Sequence, residues 1–224
     1  MTKNCKFYPA TFFYLPAICS AKINVGFALD GSSRTGKENF ETTINFVANI
    51  SKHLNVDTSE TWIFLAYPNQ KRVFKTKSDL YSLVPENEPF PNTADVHLGA
   101  TLNAIREQFS EETSERGAVN VVISVTSHKS VDDIGIPAAW LKTSNVTSFA
   151  LGIGSHYSGG QLKEIASDPE SEHFIELSAW SRLNEYFAET IATKICQGWQ
   201  NFIYTILKYK EYLQCKLLQK WIPF

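Results

Sequence analysis

The chain has 224 residues, a hydrophobic fraction of 43 %, a charged fraction of 20 % and a net charge of -2. These values exclude a wholly disordered chain and leave no global charge excess to hold nucleic acid, so partners must be argued from sites. The length suits one domain with a substantial core and is short for two.

The N-terminus, MTKNCKFYPATFFYLPAICSA, runs from basic to apolar residues and ends on small ones at Ala21. It resembles a secretory signal imperfectly, because Pro9 and Pro16 interrupt the apolar part and cleavage after Ala21 would remove Cys19. We divide the chain into this N-terminal segment (1–18), a folded domain (19–197) and a tail (198–224). No apolar stretch of about 18 residues is present to span a membrane.

The organising stretch is KINVGFALDGSSRTGK, Lys22 to Lys37. Its apolar run reads as a buried strand that ends at Asp30 and feeds a loop of Gly, Ser and Thr. Phe40, Ile44, Val47, Ile50 and Leu54 then follow a helical period. In open α/β sheets, ligands bind at such strand-to-helix junctions. Thr61 to Tyr67 reads as a short buried strand, and Lys71 to Lys75 alternates as an edge strand would, so the two form a hairpin. Ser78 to Val84 predicts one or two helical turns before a Pro-rich loop, Pro85 to Asn92. A helix follows from about His97 to Phe109.

Ala118 to Thr126, AVNVVISVT, is almost continuously apolar, as a central parallel strand is. A helix over Val131 to Lys142 must hold Pro137 in its first turn or kink there. A strand over Val146 to Ile153, a helix over Gly159 to Ser167, a strand over His173 to Leu177 and a helix over Ser181 to Ile195 complete the series. This alternation predicts a doubly wound α/β fold. The sheet is Rossmann-like and open, with about six mostly parallel strands, one antiparallel edge strand and helices on both faces.

The tail from Gln197 mixes Trp199, Phe202, Ile206, Leu213 and Trp221 with Lys208, Lys210, Lys216 and Lys220. It reads as a basic amphipathic helix able to contact a membrane surface or a partner, or else as an extra packed helix or an extension. Cys5, Cys19, Cys196 and Cys215 bracket the domain without a zinc spacing. Cys19 and Cys196 stand just outside the first strand and last helix and read as a staple; two unrelated thiols are the alternative.

Asp30 to Glu38, DGSSRTGKE, admits two readings. As a phosphate loop, Gly31, Gly36 and Lys37 fit GxxxxGK, but Glu38 stands where a Ser or Thr should hold magnesium. As a metal-dependent adhesion loop, it is a variant of DxSxS. The runs NVGFALDGSSRTGKENF, VNVVISVT, DDIGIPAAWLK, VTSFALGIG and LNEYFAETIATKIC together resemble a von Willebrand factor A domain, similar to those of cochlin, matrilins and collagen VI. The likeness covers roughly Cys19 to Cys196, and domains of that group often carry a cysteine pair where these two stand.

The resemblance implies a secreted, extracellular and non-enzymatic module that binds an extracellular-matrix or cell-surface protein in adhesion or matrix assembly. The family's adhesion site holds a divalent cation, and residue by residue this one departs from it. Asp30 and Ser32 match the first two ligands, whereas the second serine falls on Arg34. Thr93 is the hydroxyl nearest the threonine position but out of frame with Gly99, and Ser127 replaces the Asp that ends the central strand. Hard cations need several oxygen ligands, some of them anionic. The expectation is therefore a degenerate site with at most weak Mg2+ or Mn2+ affinity, in which the Arg34 charge is set against Asp30 in place of a metal.

Residues of the same rim admit other roles. Asp30 read alone is a turn or capping residue. Asp95, Asp132 and Asp133 read as replacement carboxylates, or the last two as caps of the following helix. His97 and His128 read as metal ligands or as hydrogen-bonded surface residues, and Lys129 and Arg34 make the rim basic. In a secreted chain, Asn49 and Asn145 head glycosylation sequons. The alternatives for function are a P-loop-like nucleotide-binding domain using Gly31 to Lys37 and an intracellular scaffold of the same fold.

Overall fold

A computed structural model of the protein describes residues 22–113 and 117–197. The N-terminal segment, Cys19 and the tail lie outside the described residues.

Strand β1 (Ile23–Leu29) is buried along its whole length, as its apolar sequence requires. Helix α1 (Lys37–Lys52) follows the first loop and buries Phe40, Ile44, Val47 and Ile50 along one stripe. Strands β2 (Thr61–Tyr67) and β3 (Gln70–Phe74) form the expected antiparallel hairpin, closed at Asn69 with φ 65. A one-turn helix α2 (Lys77–Leu80) starts in a capping box made by Thr76 and Asp79. The Pro-rich loop contains a single 3-10 turn, Pro85–Asn87. Helix α3 (Leu98–Thr113) leads to the central strand β4 (Val119–His128).

Helix α4 (Gly135–Thr143) starts four residues later than its apolar pattern implies, and Pro137 sits in its first turn, where a missing N–H costs nothing. Strand β5 (Thr147–His156) runs past the expected end at Ile153. Helix α5 (Gly159–Ile165) is capped by the Ser158 hydroxyl. A short helix α6 (Glu170–His173) takes the residue expected to open the last strand, β6 (Phe174–Leu177). The final helix, α7, occupies 185–197, and a 3-10 turn at Trp180–Arg182 takes up its expected first residues.

The six strands lie in the order β3-β2-β1-β4-β5-β6, all parallel except β3. Alternate residues of each strand face opposite layers. Val25, Phe27 and Leu29 pack with α1 and with Ala188, Ile191 and Ile195 of α7. Ala28 and Phe64 pack with α3, α4 and α5 through Leu102, Ile105, Leu141 and Leu162. This is the doubly wound sheet expected. Successive strands progress outward in both directions from β1 and β4, so the gap beyond their carboxyl ends is a topological switch point.

Candidate functional site

Asp30, one residue past β1, and Ser127, near the end of β4, meet in that gap. The Asp30 amide donates to the Val125 carbonyl at 3.1 Å, which fixes the aspartate against β4. The residue is 5 % exposed, and its carboxylate is surrounded by donors. Oδ1 accepts from the Ser32 amide at 2.9 Å and Oδ2 from the Thr35 hydroxyl at 2.7 Å, while the Thr126 hydroxyl lies 3.0 Å from both Oδ2 and the His128 carbonyl and shares its one proton between them. Ser32 is fully buried, and its Oγ accepts from the Thr35 amide at 3.4 Å. The Thr35 and Ser127 hydroxyl oxygens are 3.2 Å apart, and Ser127 Oγ lies 3.0 Å from His128 Nδ1.

Thr93 reaches this loop with its backbone. It forms a bridge with Ser32, its carbonyl accepts from Ser33 N at 2.7 Å, and its amide donates to Gly31 O at 3.3 Å. Its hydroxyl donates instead to the Asp95 carbonyl at 2.9 Å. Of the four expected ligands, Asp30, Ser32 and Ser127 thus belong to one hydrogen-bonded cluster, whereas the Thr93 hydroxyl serves its own loop.

Arg34 does not stand against Asp30. Its guanidinium pairs with Asp95 at 2.9 Å, with both side chains well exposed. The reason is steric and electrostatic: the space beside Asp30 is filled by Thr35, which follows Arg34, and an Arg remains solvated more cheaply at the surface. The sequence reading missed Thr35 and Thr126 as partners of Asp30. The signal was present in the hydroxyls that adjoin the two departures from the motif, Arg34 and Ser127.

The phosphate-loop reading finds no cradle here. The amides of Ser32, Ser33, Thr35 and Gly36 are all engaged within the loop or with Thr93, and the exposed Lys37 ammonium lies 3.6 Å from Glu41. The loop's hydrogen-bonding groups therefore point at its own chain rather than at a bound anion.

The remaining rim residues have structural partners. Asp132 caps α3 rather than the helix that follows it, accepting from Gly99 N at 3.1 Å and Ala100 N at 2.7 Å. Sequence proximity pointed to α4, but the β4–α4 loop crosses the start of α3. Asp133 accepts from Gly135 N at 2.8 Å and does serve the start of α4. His97 is exposed just before α3. His128 is half-buried, and its ring stacks on His156 with centroids 5.3 Å apart. Burial, as the main cause, and the neighbouring His156 and Arg34 lower the pKa of His128, against an opposing pull from Asp30.

The fit to a hard divalent cation can be judged from these contacts. One carboxylate is present in the cluster, and three donors occupy its oxygens; Ser32, Thr35 and Ser127 add only neutral hydroxyls. Magnesium requires near-octahedral oxygen ligation with anionic members, and this donor set fits it poorly. Among the described residues, no group of three or more His, Cys, Asp or Glu side chains is placed to hold a metal ion.

The von Willebrand factor type A domain model matches residues 24–189, from the first strand into the last helix. The chain belongs to the von Willebrand factor type A domain family. Human vitrin is 26 % identical over 180 residues, covering 77 % of this chain and 26 % of vitrin. Human matrilin-1 is 28 % identical over 185 residues, covering 79 % of this chain and 37 % of matrilin-1. The chain thus spans well under half the length of the curated relatives it matches, from 18 % to 37 % of each. Among solved structures, proximal thread matrix protein 1 from the mussel byssus aligns with a TM-score of 0.66 at 21 % identity, covering 80 % of this chain and 48 % of that one.

Proposed function

We propose that this chain is an extracellular protein-binding module for cell adhesion or matrix assembly, and that it binds its partner without a bridging Mg2+ or Mn2+. The observation that carries the reading is Asp30: a buried carboxylate whose oxygens already receive three hydrogen bonds, with no second carboxylate in its cluster. Internal donors here take the place that a metal and its waters would occupy. Binding then rests on surface complementarity around the rim that carries Arg34, Asp95 and Lys129. The likeness to vitrin, matrilin-1 and a byssal matrix protein supports an extracellular, non-enzymatic role and an extracellular-matrix or cell-surface partner. Among the described residues, no helix is long and apolar enough to cross a membrane.

The staple belongs to the same reading. Cys196 is buried and takes part in a disulfide, with Cys19 as the partner we propose. For glycosylation the better placed acceptor is Asn145, exposed in the turn before β5, whereas Asn49 accepts from Lys52 and its sequon serine, Ser51, is buried in α1. Intact-mass analysis of secreted protein, before and after glycan removal and reduction, tests both assignments.

Calorimetric titration of Mg2+, then Mn2+, into the purified oxidised chain tests the central point. The expected result is no saturable binding by a folded protein. Saturable binding that Asp30→Ala abolishes would overturn the metal-free reading. The double variant Arg34→Ser, Ser127→Asp places a second carboxylate beside Thr35 and removes a cation from the loop; it is expected to gain Mg2+ affinity.

A further inference from the structure

The histidines at the ends of the two strands beyond β1 have a defined arrangement that the reading above does not use. His128 and His156 are register partners on the parallel pair β4 and β5, placed opposite one another by a register shift between Thr126 and His128. Such irregularities re-aim side chains at strand ends. The ring planes are 19° apart and the centroids 5.3 Å apart. Two imidazoles on one tetrahedral zinc ion, with Zn–N bonds of about 2.0–2.1 Å, have centroids about 5 Å apart. The centroid spacing is thus that of two imidazoles on one ion, and the near-parallel rings must leave their stack for both lone pairs to converge there.

Proton bookkeeping along the hydroxyl chain points to one His128 tautomer. As a carboxylate, Asp30 only accepts, so the 2.7 Å contact uses the single hydroxyl proton of Thr35. Thr35 Oγ1 must then accept from Ser127 across 3.2 Å, which uses the single hydroxyl proton of Ser127. Ser127 Oγ, 3.0 Å from His128 Nδ1, is left as an acceptor, so His128 carries its proton on Nδ1 and its lone pair on Nε2. An imidazole whose other nitrogen donates into a carboxylate-anchored chain is the arrangement that orients metal-bound histidines.

We propose that His128 Nε2 and the His156 imidazole form a rim site for a borderline-soft divalent cation such as Zn2+, with Asp30, Thr35 and Ser127 acting as positioning residues and not as ligands. The remaining coordination positions face solvent, because His156 is exposed. A partner's carboxylate or imidazole can complete them. The site's own donors are imidazole nitrogens, which favour zinc over magnesium, whereas the Asp30 cluster offers oxygens. Of the cations on this rim, Arg34 is engaged by Asp95 and Lys129 is exposed.

The test is titration of Zn2+ alone into the full oxidised chain near neutral pH, with Mg2+ as the comparison and circular dichroism to confirm folding. Wild type is expected to bind one Zn2+ saturably, and His156→Ala, at an exposed position, to lose that binding. Ser127→Ala is expected to lower the affinity about tenfold or more by releasing the tautomer. Long-range 1H–15N spectra provide a readout independent of affinity: His128 should be protonated at Nδ1 in the metal-free protein, with its Nε2 resonance moving on Zn2+ addition. Absence of saturable Zn2+ binding by folded protein, equal binding by His156→Ala, or a His128 protonated at Nε2 would each overturn the proposal. The Mg2+ titration judges the metal-free reading of the Asp30 loop separately, so either can fail without the other.

Discussion

Three donors meet on Asp30, and they are unequal in kind. The Ser32 amide belongs to the loop that Asp30 itself opens, whereas the Thr35 and Thr126 hydroxyls come from the loop's far side and from β4. Thr35 is 2 % exposed, so its replacement leaves a buried carboxylate short of a donor. Thr35→Val is expected to destabilise the fold by about 1–3 kcal/mol, and Thr35→Ser to recover most of the loss. Urea denaturation of the two variants measures it. The motif pointed to Asp30 and Ser32 because backbone proximity alone brings them together. It pointed Arg34 the wrong way because the choice between Arg34 and Thr35 depends on which of them faces β4, and a loop without periodicity does not encode that.

Elements are joined to one another by buried polar groups as well as by the apolar layers. Glu88, with a fully buried side chain, pairs with Arg72 of β3 and accepts at 2.6 Å from the hydroxyl of Tyr67 on β2, so the Pro-rich loop is held to the hairpin. Burial first, and then the Glu88 carboxylate, raise the Tyr67 pKa well above its ordinary 10.0. Below pH about 10 this tyrosine is protonated in both the folded and unfolded chain and has no effect on the pH dependence. Above it the unfolded chain releases a proton that folded Tyr67 keeps, so stability must fall as pH rises. Tyr67→Phe is expected to flatten the decline, as followed by thermal melts from neutral pH into the alkaline range.

The start of α3 shows a second such junction. The Leu98 amide donates to Ser130 Oγ at 2.8 Å, and Asp132 takes the next two amides, so the loop after β4 caps a helix that precedes it in sequence. Asp132→Ala is expected to cost about 1–2 kcal/mol, with earlier hydrogen exchange in the first turn of α3. Helix α3 also packs closely on β1, since a Cβ at Gly26 would lie 2.6 Å from Ile105 Cγ2. Gly26→Ala should cost about 1–3 kcal/mol in a denaturation experiment, because α3 would have to move off the sheet.

Across the whole molecule, the fold depends on a sheet whose ends lie far apart in the chain. The final helix α7 packs on the same layer as β1 through Ile191 and Ile195, so the last described residues close over the first strand. The proposed Cys19–Cys196 bond would hold that closure. Reduction, or the Cys196→Ser variant, is expected to lower stability by about 2–4 kcal/mol while leaving the circular dichroism of the folded state unchanged. Thermal melts with and without reductant check the size of the effect.

The strand series, the hairpin and the helix stripes were legible because burial imposes a period on side chains that no other chemistry mimics over such lengths. Boundaries slipped where caps and turns compete with that period, as at Gly135, where α4 waits for the Asp133 turn, and at Trp180, where a 3-10 turn precedes α7. Family membership also follows from sequence, since the von Willebrand factor type A domain model matches residues 24–189. Only the tertiary structure decided who satisfies Asp30, which helix Asp132 caps and that His156 stands beside His128. Thr126 with Asp30, Asp132 with the start of α3 and His156 with His128 are distant in sequence, and Thr35 meets Asp30 in a loop without periodicity; such partners are chosen by the packing of the sheet and not by local propensity.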